Sequence, residues 1–339
     1  MELNYALLEQ IIKIASPTGY SYNIINYLKG YVESLGYEAT TNQKGNLIIT
    51  VKGKSSYTKA LSAHVDTLGL MVRSINPNGT LRFSSLGGTL LNTYNGEYCT
   101  IITRHNKIYT GTILSTSPAV HVYPDARTKE LKEENMCIRL DEIVYNKKDT
   151  QELGIETGDI IALDPKFQIT EKGYIKTRFL DDKASVFLLM ELLRYINENK
   201  ITPKDTLKII ITTYEEVGHG CSSIPNIDEM LAVDMGCIGL DLNCTEEQVS
   251  ICVKDGSGPY DYNMITNLIN IAKTNNISYA LDVYPFYSSD ASAALRGGND
   301  IKCALIGSGI AASHGMERTH INGLKNTFSL ILGYLDLLK

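Results

Sequence analysis

The chain of 339 residues is 43% hydrophobic and 21% charged, the balance of a globular protein with material for a large core and, by length, for two domains. Thirty-two basic against 38 acidic residues leave a net charge of −6 with no dense Lys/Arg block, which argues against nucleic acid or an anionic membrane as partner. No apolar run approaches membrane-spanning length, the start Met-Glu-Leu-Asn lacks the basic opening of a signal peptide, and seven cysteines without Cys-x-x-Cys spacing read as reduced thiols; a cytoplasmic location is expected.

Helical spacing of apolar residues predicts helices over Leu3–Ala15 and Tyr22–Leu35, separated by Ser16-Pro17-Thr18-Gly19 and stopped by Gly36. Tyr37–Thr41 and Leu47–Val51 read as strands around a Gln-Lys-Gly-Asn turn. Lys59–Gly69 is a short apolar run that ends in His64-Val-Asp66. From about Leu70 to Pro165 helical periodicity disappears. Strand candidates at 81–85, 97–103, 108–114, 136–144 and 159–163 alternate with Gly, Asn and Pro turns, which predicts a small β-barrel-like or sandwich domain at 71–169 with a charged, mobile loop at 125–135. After Asp181-Asp182 helix and strand alternate to the end: a helix at 184–195, strands at 207–213, 229–233 and 248–253, a helix at 262–273, strands at 278–283 and 301–306, and a closing helix at 326–338. The fold class expected is therefore α/β, a three-layer α/β/α catalytic domain made of residues 1–70 and 170–339 and interrupted by the insert.

The stretch around which the rest is arranged is Ile211-Thr-Thr-Tyr-Glu215-Glu216-Val-Gly-His-Gly220. Adjacent acids in extended backbone point to opposite sides, so one could hold a metal while the other moves a proton. Alone, such a pair is ordinarily a solvated loop. Four other junctions supply partners: His64 with Asp66, Asp181 with Asp182, Asp234 at the end of Leu-Ala-Val-Asp, and His314. Each also has an ordinary reading, a surface pair for His-x-Asp, a helix N-cap for Asp-Asp and a polar loop residue for His314. Asp234 is the exception, since an unpaired acid at the end of an apolar strand is costly. His105, His121 and His219 have no comparable setting and are read as structural. Imidazole and carboxylate without thiolate suit zinc, cobalt or manganese, and the donors exceed what one ion in an open site uses. Two ions sharing a carboxylate account for the surplus, and a neighbouring Glu can take the proton of an activated water.

Taken together, Ser16-Pro-Thr-Gly, Gly45-Asn-Leu-Ile, His64-x-Asp-x-x-Gly, Gly154-Ile-Glu-Thr-Gly-Asp, Leu180-Asp-Asp-Lys, Glu215-Glu-Val-Gly, the Asp234 strand and His314-Gly-x-Glu317 resemble, in that order and over almost the whole chain, the dinuclear metallo-aminopeptidases of the glutamyl and tetrahedral (TET) type, some of which carried an endoglucanase label. The resemblance implies two divalent metal ions per chain. One would be held by His64, Asp181 and Asp234 and the other by Asp181, Glu216 and His314, with Glu215 as general base and Asp66 setting the His64 tautomer. It implies short peptide substrates and a dimer-based homo-oligomer, up to twelve subunits, assembled through the insert. Thr67 and Ser185 depart from the family pattern without removing a ligand. Sequence physics by itself does not choose between Asp181 and Asp182. Arg296 and Lys302 are the candidates for a basic substrate pocket. The competing readings are a metal-dependent deacylase or carboxypeptidase-like hydrolase of N-acyl amino acids, and a metal-free scaffold of the same fold. Glycoside hydrolysis lacks an evident carboxylate pair.

Overall fold

The computed structural model describes residues 2–338. The chain opens with helices α1 (Tyr5–Lys13) and α2 (Tyr22–Ser34) and strands β1 (Ala39–Thr41), β2 (Leu47–Val51) and β3 (Thr58–His64). It then leaves for the inserted region, β4 (Gly69–Ile75), β5 (Leu81–Leu86), β6 (Tyr98–Ile102), β7 (Ile108–Ser115), β8 (Met136–Leu140), α3 (Lys147–Glu152) and β9 (Ile160–Leu163). The return comprises β10 (Gln168–Ile169), β11 (Tyr174–Thr177), α4 (Leu180–Glu198), β12 (Thr206–Thr212), β13 (Glu229–Cys237), β14 (Val249–Asp255) and β15 (Gly258–Pro259). It ends with α5 (Tyr262–Thr274), β16 (Tyr279–Val283), α6 (Asp290–Arg296), β17 (Lys302–Ile310), β18 (Glu317–His320) and α7 (Ile321–Tyr334).

Nine strands form one mixed sheet in the order β1-β2-β12-β3-β13-β17-β14-β15, with β16 beside β14. Its centre, β12, β3, β13 and β17, is parallel, so the carboxyl ends of these four strands open on the same edge. Alternation along β3 separates the two layers of helices. Lys59 reaches the Tyr334 ring on α7, whereas His64 shares its face with Thr212, which hydrogen-bonds Asp290 on α6. Helix α4 is buried nearly all round because it packs against β3, β13 and β17 of the sheet and against helices α1 and α7. The inserted strands close into a six-stranded barrel, β4-β5-β8-β7-β6-β9, filled by Leu70, Val72, Phe83, Ile101, Ile113, Ile138 and Ile161.

Several expectations shift. Strand β4 was not anticipated, although Leu70 and Val72 alternate inward as a strand requires. The final helix starts five residues earlier than expected and stops at Tyr334, because the His320 side chain caps it by accepting from Asn322 N–H. The charged segment 125–135 is a series of turns ending in a short 3₁₀ turn, and Glu133 anchors it by accepting from Ser85 N–H at 2.7 Å.

Candidate metal centre

His64 ends β3, Glu215 and Glu216 follow β12, Asp234 lies on β13, and His314 follows β17, so four neighbouring strands deliver their donors to one edge of the sheet. Asp181 and Asp182 reach the same edge from the start of α4, where both have non-helical backbone angles and the peptide bond between them is cis. All the residues expected at the site are thus together. His64 Nε2 lies 3.1 Å from Asp181 Oδ1 and 3.7 Å from Glu215 Oε2. His314 Nε2 lies 3.6 Å from Asp181 Oδ2 and 3.7 Å from Glu216 Oε2. The two oxygens of Asp181 therefore face two different histidines. Donor atoms of His64, Asp181 and Glu216 fall within 4.8 Å of one another, and so do those of His64, Asp182 and Asp234.

That second grouping makes Asp182 a candidate too. Its Oδ2, however, already accepts the main-chain N–H of His64 at 3.0 Å, which makes Asp182 a brace for the end of β3. Asp181 has both oxygens turned to imidazoles: Oδ1 is in hydrogen-bond contact with His64 Nε2 at 3.1 Å, and Oδ2 accepts from Ser313 Oγ at 3.1 Å and faces His314.

The Glu-Glu pair differs from its expected geometry. Glu215–Val217 is a 3₁₀ turn, not extended chain, closed by Gly218 at φ 84°. The two side chains still address different histidines, through rotation around the turn instead of strand alternation. Asp66 also differs. His64 Nδ1 meets the main-chain oxygen of Asp66 at 2.9 Å, while the Asp66 carboxylate stands 3.7 Å off. The carboxylate instead accepts from Thr18 Oγ1 at 2.7 Å, Glu215 N–H at 3.1 Å and Glu216 N–H at 3.4 Å, so it pins the acid-bearing turn. Main chain orients the imidazole, a contact side-chain spacing could not indicate.

Two residues without a sequence-based role hold the far side. Glu317, buried at the start of β18, accepts the main-chain N–H of Asp181 at 3.1 Å and of His314 at 3.2 Å. It therefore ties two site residues together while His314 occupies the left-handed region at φ 64°. Arg178, fully buried, donates to the carbonyl of Gly315 at 3.1 Å and to that of Thr93 at 2.6 Å, with its guanidinium 5.0 Å from the centre of the Tyr94 ring. Glu317 was visible as the last position of His-Gly-x-Glu, whereas Arg178 carried no signal. The departures are tolerated: Ser185 Oγ donates to the Asp234 carbonyl at 2.9 Å, and Thr67 Oγ1 to Leu68 O at 3.0 Å. Gly307 beside Asp234 is needed, since a Cβ there would lie 2.2 Å from the Asp234 carbonyl oxygen.

The other candidates lie elsewhere. Lys302 pairs with Glu229 at the opposite end of the parallel strands, and Arg296 bonds Ser257 Oγ at 2.8 Å, so neither furnishes a basic pocket here. His105 and His121 are exposed, and His219 stacks on Tyr214 at 5.1 Å.

Electrostatically the cluster is overloaded with acid. Burial pushes the carboxyls of Asp182, Glu215 and Glu216 well above their ordinary range, with neighbouring acids adding to it, and raises Asp234 to about 7. Burial by itself would lower the His64 pKa, but the hydrogen bond to Asp181 and the surrounding carboxylates outweigh it and hold the imidazole well above its usual value. Burial would likewise raise Asp181, and His64 overcomes that to keep it low. Among the described residues no Lys or Arg pairs with these five acids, and Asp182 Oδ1 is buried without a partner. Five acids, two imidazoles and no thiolate form the donor set that a pair of divalent cations satisfies.

The model of the M42 glutamyl aminopeptidases matches residues 45–330 of the chain. A putative aminopeptidase of Bacillus subtilis, YhfE, is 47% identical over 333 residues, covering 97% of this chain and 96% of the relative. Among solved structures, a TET aminopeptidase from a marine sediment archaeon of the Thaumarchaeota superposes with a TM-score of 0.88 at 21% identity, over 98% of this chain and 95% of its own. The TET1 peptidase of Pyrococcus horikoshii, which can assemble into a tetrahedron or a large octahedral shell, superposes with a TM-score of 0.86 at 22% identity over 98% of both chains. These two likenesses concern the fold.

Proposed function

The chain belongs to the M42 glutamyl aminopeptidase family and is an aminopeptidase, and from that premise we propose that it removes amino-terminal residues from short peptides by attack of water on the first peptide carbonyl, with Glu215 as general base. His64, Asp181 and Asp234 would hold one divalent cation, and Asp181, Glu216 and His314 the second. Zinc suits these donors, with cobalt and manganese compatible. When bound, such a pair polarises a carbonyl and makes water acidic enough to attack at neutral pH. The observation that carries the reading is Asp181 lying between His64 at 3.1 Å and His314 at 3.6 Å.

The protein's own groups then divide the work. Glu215 reaches to 3.7 Å from His64 Nε2 and takes the proton of the attacking water, then returns it to the leaving nitrogen. Burial raises its affinity for a proton, which makes the ionised carboxylate a stronger base. Asp66 keeps that carboxyl in place through the amides of Glu215 and Glu216.

The reading includes a homo-oligomer built through the barrel, residues 71–169, with residues 1–70 and 170–339 as the catalytic unit. Its support is the tetrahedral and octahedral assembly of the Pyrococcus horikoshii TET1 peptidase, a groove of about 700 Å³ lined by Tyr98, Thr110, Thr112 and Arg139, and the exposed Val122, Ile143 and Tyr145 on the insert. All seven cysteines are free thiols, in keeping with a cytoplasmic location. Among the described residues no helix is long and apolar enough to cross a membrane.

The deciding experiment assays a panel of aminoacyl-p-nitroanilides beside N-acetyl amino acids, with metal analysis and light scattering of the same preparation. Release of p-nitroaniline by a multimeric protein with two metals per chain is expected. Turnover of the N-acetyl compounds alone would replace this reading with the deacylase.

A further inference from the structure

The turn between β1 and β2 lies against the segment that carries Glu215. Strands β2 and β12 run antiparallel with Leu47 opposite Ile211, so the start of β2 stands beside the point where β12 gives way to the acid-bearing turn. The β1–β2 turn is itself firmly built. Asn42 Oδ1 accepts the amides of Lys44 and Asn46, both at 3.0 Å, and Asn42 O accepts that of Gly45 at 3.0 Å.

From this platform Lys44 and Asn46 reach both ends of the segment 213–220. At its start, Thr213 Oγ1 lies 3.0 Å from both Lys44 O and Asn46 Oδ1. At its end, the buried Asn46 Nδ2 donates to Gly220 O at 3.0 Å. Lys44 Nζ donates to the same oxygen at 2.9 Å, to His219 O, and to Ser222 Oγ at 3.1 Å. No main-chain N–H among the described residues reaches Gly220 O. His219 passes the constraint on, since its N–H donates to Tyr214 O at 3.2 Å and its ring stacks on that of Tyr214 at 5.1 Å and 18°. Tyr214 immediately precedes Glu215. Asp66 and Asp290 hold amides of this stretch, those of Glu215, Glu216 and Cys221, but a carboxylate cannot serve a carbonyl. Among the described residues Lys44 is the one cation that does so here, and a charged donor makes the stronger hydrogen bond.

We infer that Lys44 is a positioning residue for the general base: anchored in the β1–β2 turn, its ammonium holds the carbonyls of His219 and Gly220 and so fixes where the Glu215 carboxyl meets the attacking water. The inference rests on the aminopeptidase reading above and adds to it the group that sets the place of the base. Lys44 hydrogen-bonds none of the proposed metal ligands, and His64, Asp181, Asp234 and His314 stand on other elements. Its loss therefore acts on the chemical step and not on the metals. A displacement of about 1 Å in a reacting group costs about 100-fold in rate. A turn that loses one of several anchors moves less, so a smaller loss follows.

The test is Lys44→Met in the metal-loaded protein, beside Lys44→Arg, which keeps a cationic donor. Lys208→Met is the control, because that lysine also donates to a loop carbonyl, Asn226 O at 3.2 Å, but beyond the acid-bearing turn. Four quantities are measured: kcat and KM on the best p-nitroanilide, metal content, and amide hydrogen exchange read by mass spectrometry. Expected for Lys44→Met is a kcat lowered about 10-fold, with KM and metal content unchanged and faster exchange confined to residues 214–221. Lys44→Arg should recover most of the loss, and the control should match wild type. An unaltered kcat overturns the proposal, as does unaltered exchange in 214–221 or an Arg variant as slow as the Met variant. Loss of metal in step with activity also overturns it, since Lys44 would then serve Glu216 and not Glu215. A wild-type protein that binds metal and cleaves no aminoacyl substrate would instead remove the aminopeptidase reading itself, while the exchange comparison would still show whether Lys44 holds the turn.

Discussion

His314 Nδ1 lies 2.8 Å from the carbonyl oxygen of Gly88, a residue in the turn that follows β5 of the barrel. An imidazole whose Nδ1–H donates to a fixed carbonyl presents an unprotonated Nε2, and in His314 that atom faces Asp181 and Glu216. The inserted region is therefore part of the site's wall. A Cβ on residue 88 would lie 3.3 Å from His314 Nδ1, tight even for Ala. Gly88→Val is expected to weaken the ion held with His314 by about 10- to 100-fold and spare the other. Stepwise metal titration of the chelated protein reads both affinities.

Glu215→Gln and Asp181→Asn should separate chemistry from metal binding. Gln keeps the shape of Glu215 but accepts no proton, so metal content stays at its wild-type value and hydrolysis disappears. Asn at 181 loses the charge facing both histidines, so metal content falls as well as activity. Full turnover by Glu215→Gln would remove the base assignment.

Glu317 offers a different signature, because it touches main chain alone: the amides of Asp181 and His314. Glu317→Ala leaves both donors unpaired in a buried place, a cost of about 1–3 kcal/mol for each. Thermal unfolding should reveal that loss even in metal-free protein, whereas Glu317→Gln, which retains an accepting oxygen, should recover part of it. An alanine variant as stable as wild type would contradict the role.

Removal of the ions should make stability depend on pH with a definite sign. In the metal-free fold Asp182, Glu215, Glu216 and Asp234 hold protons more tightly than in the unfolded chain. Their contribution is complete below the ordinary carboxylate range, about pH 4, and is lost as pH rises through their folded values, about 7 for Asp234. His64, also raised, loses its contribution in the same direction at higher pH, whereas Asp181, held low, loses its own only in acid. The chelated protein should thus melt at progressively lower temperature between about pH 4.5 and 7.5, and metal should restore most at the upper end. A chelated protein that gains stability over that interval would show the acids are not buried together.

The presence of two kinds of sheet was legible because two different periodicities meet in one chain. Apolar residues at helical spacing in 22–35 and 184–195, and short alternating runs in 81–115, each demand their own element, and the donors at the site stand at or just beyond the end of an element, except Asp234, which lies within β13. Candidate donors could be gathered because few residue types bind such cations and each sat beside an expected strand or helix terminus. What the sequence could not carry were contacts made by main chain and contacts across the two regions. The Asp66 carbonyl on His64, the Gly88 carbonyl on His314 and the Arg178 bridge to Thr93 and Gly315 join segments up to 226 residues apart through groups that every residue owns or by routes no spacing records. The difference between Asp181 and Asp182 has the same origin: neighbouring, chemically identical side chains meet different partners because of the direction in which the folded backbone points them, and that direction is set by strands β3 and β18 packing against the start of α4.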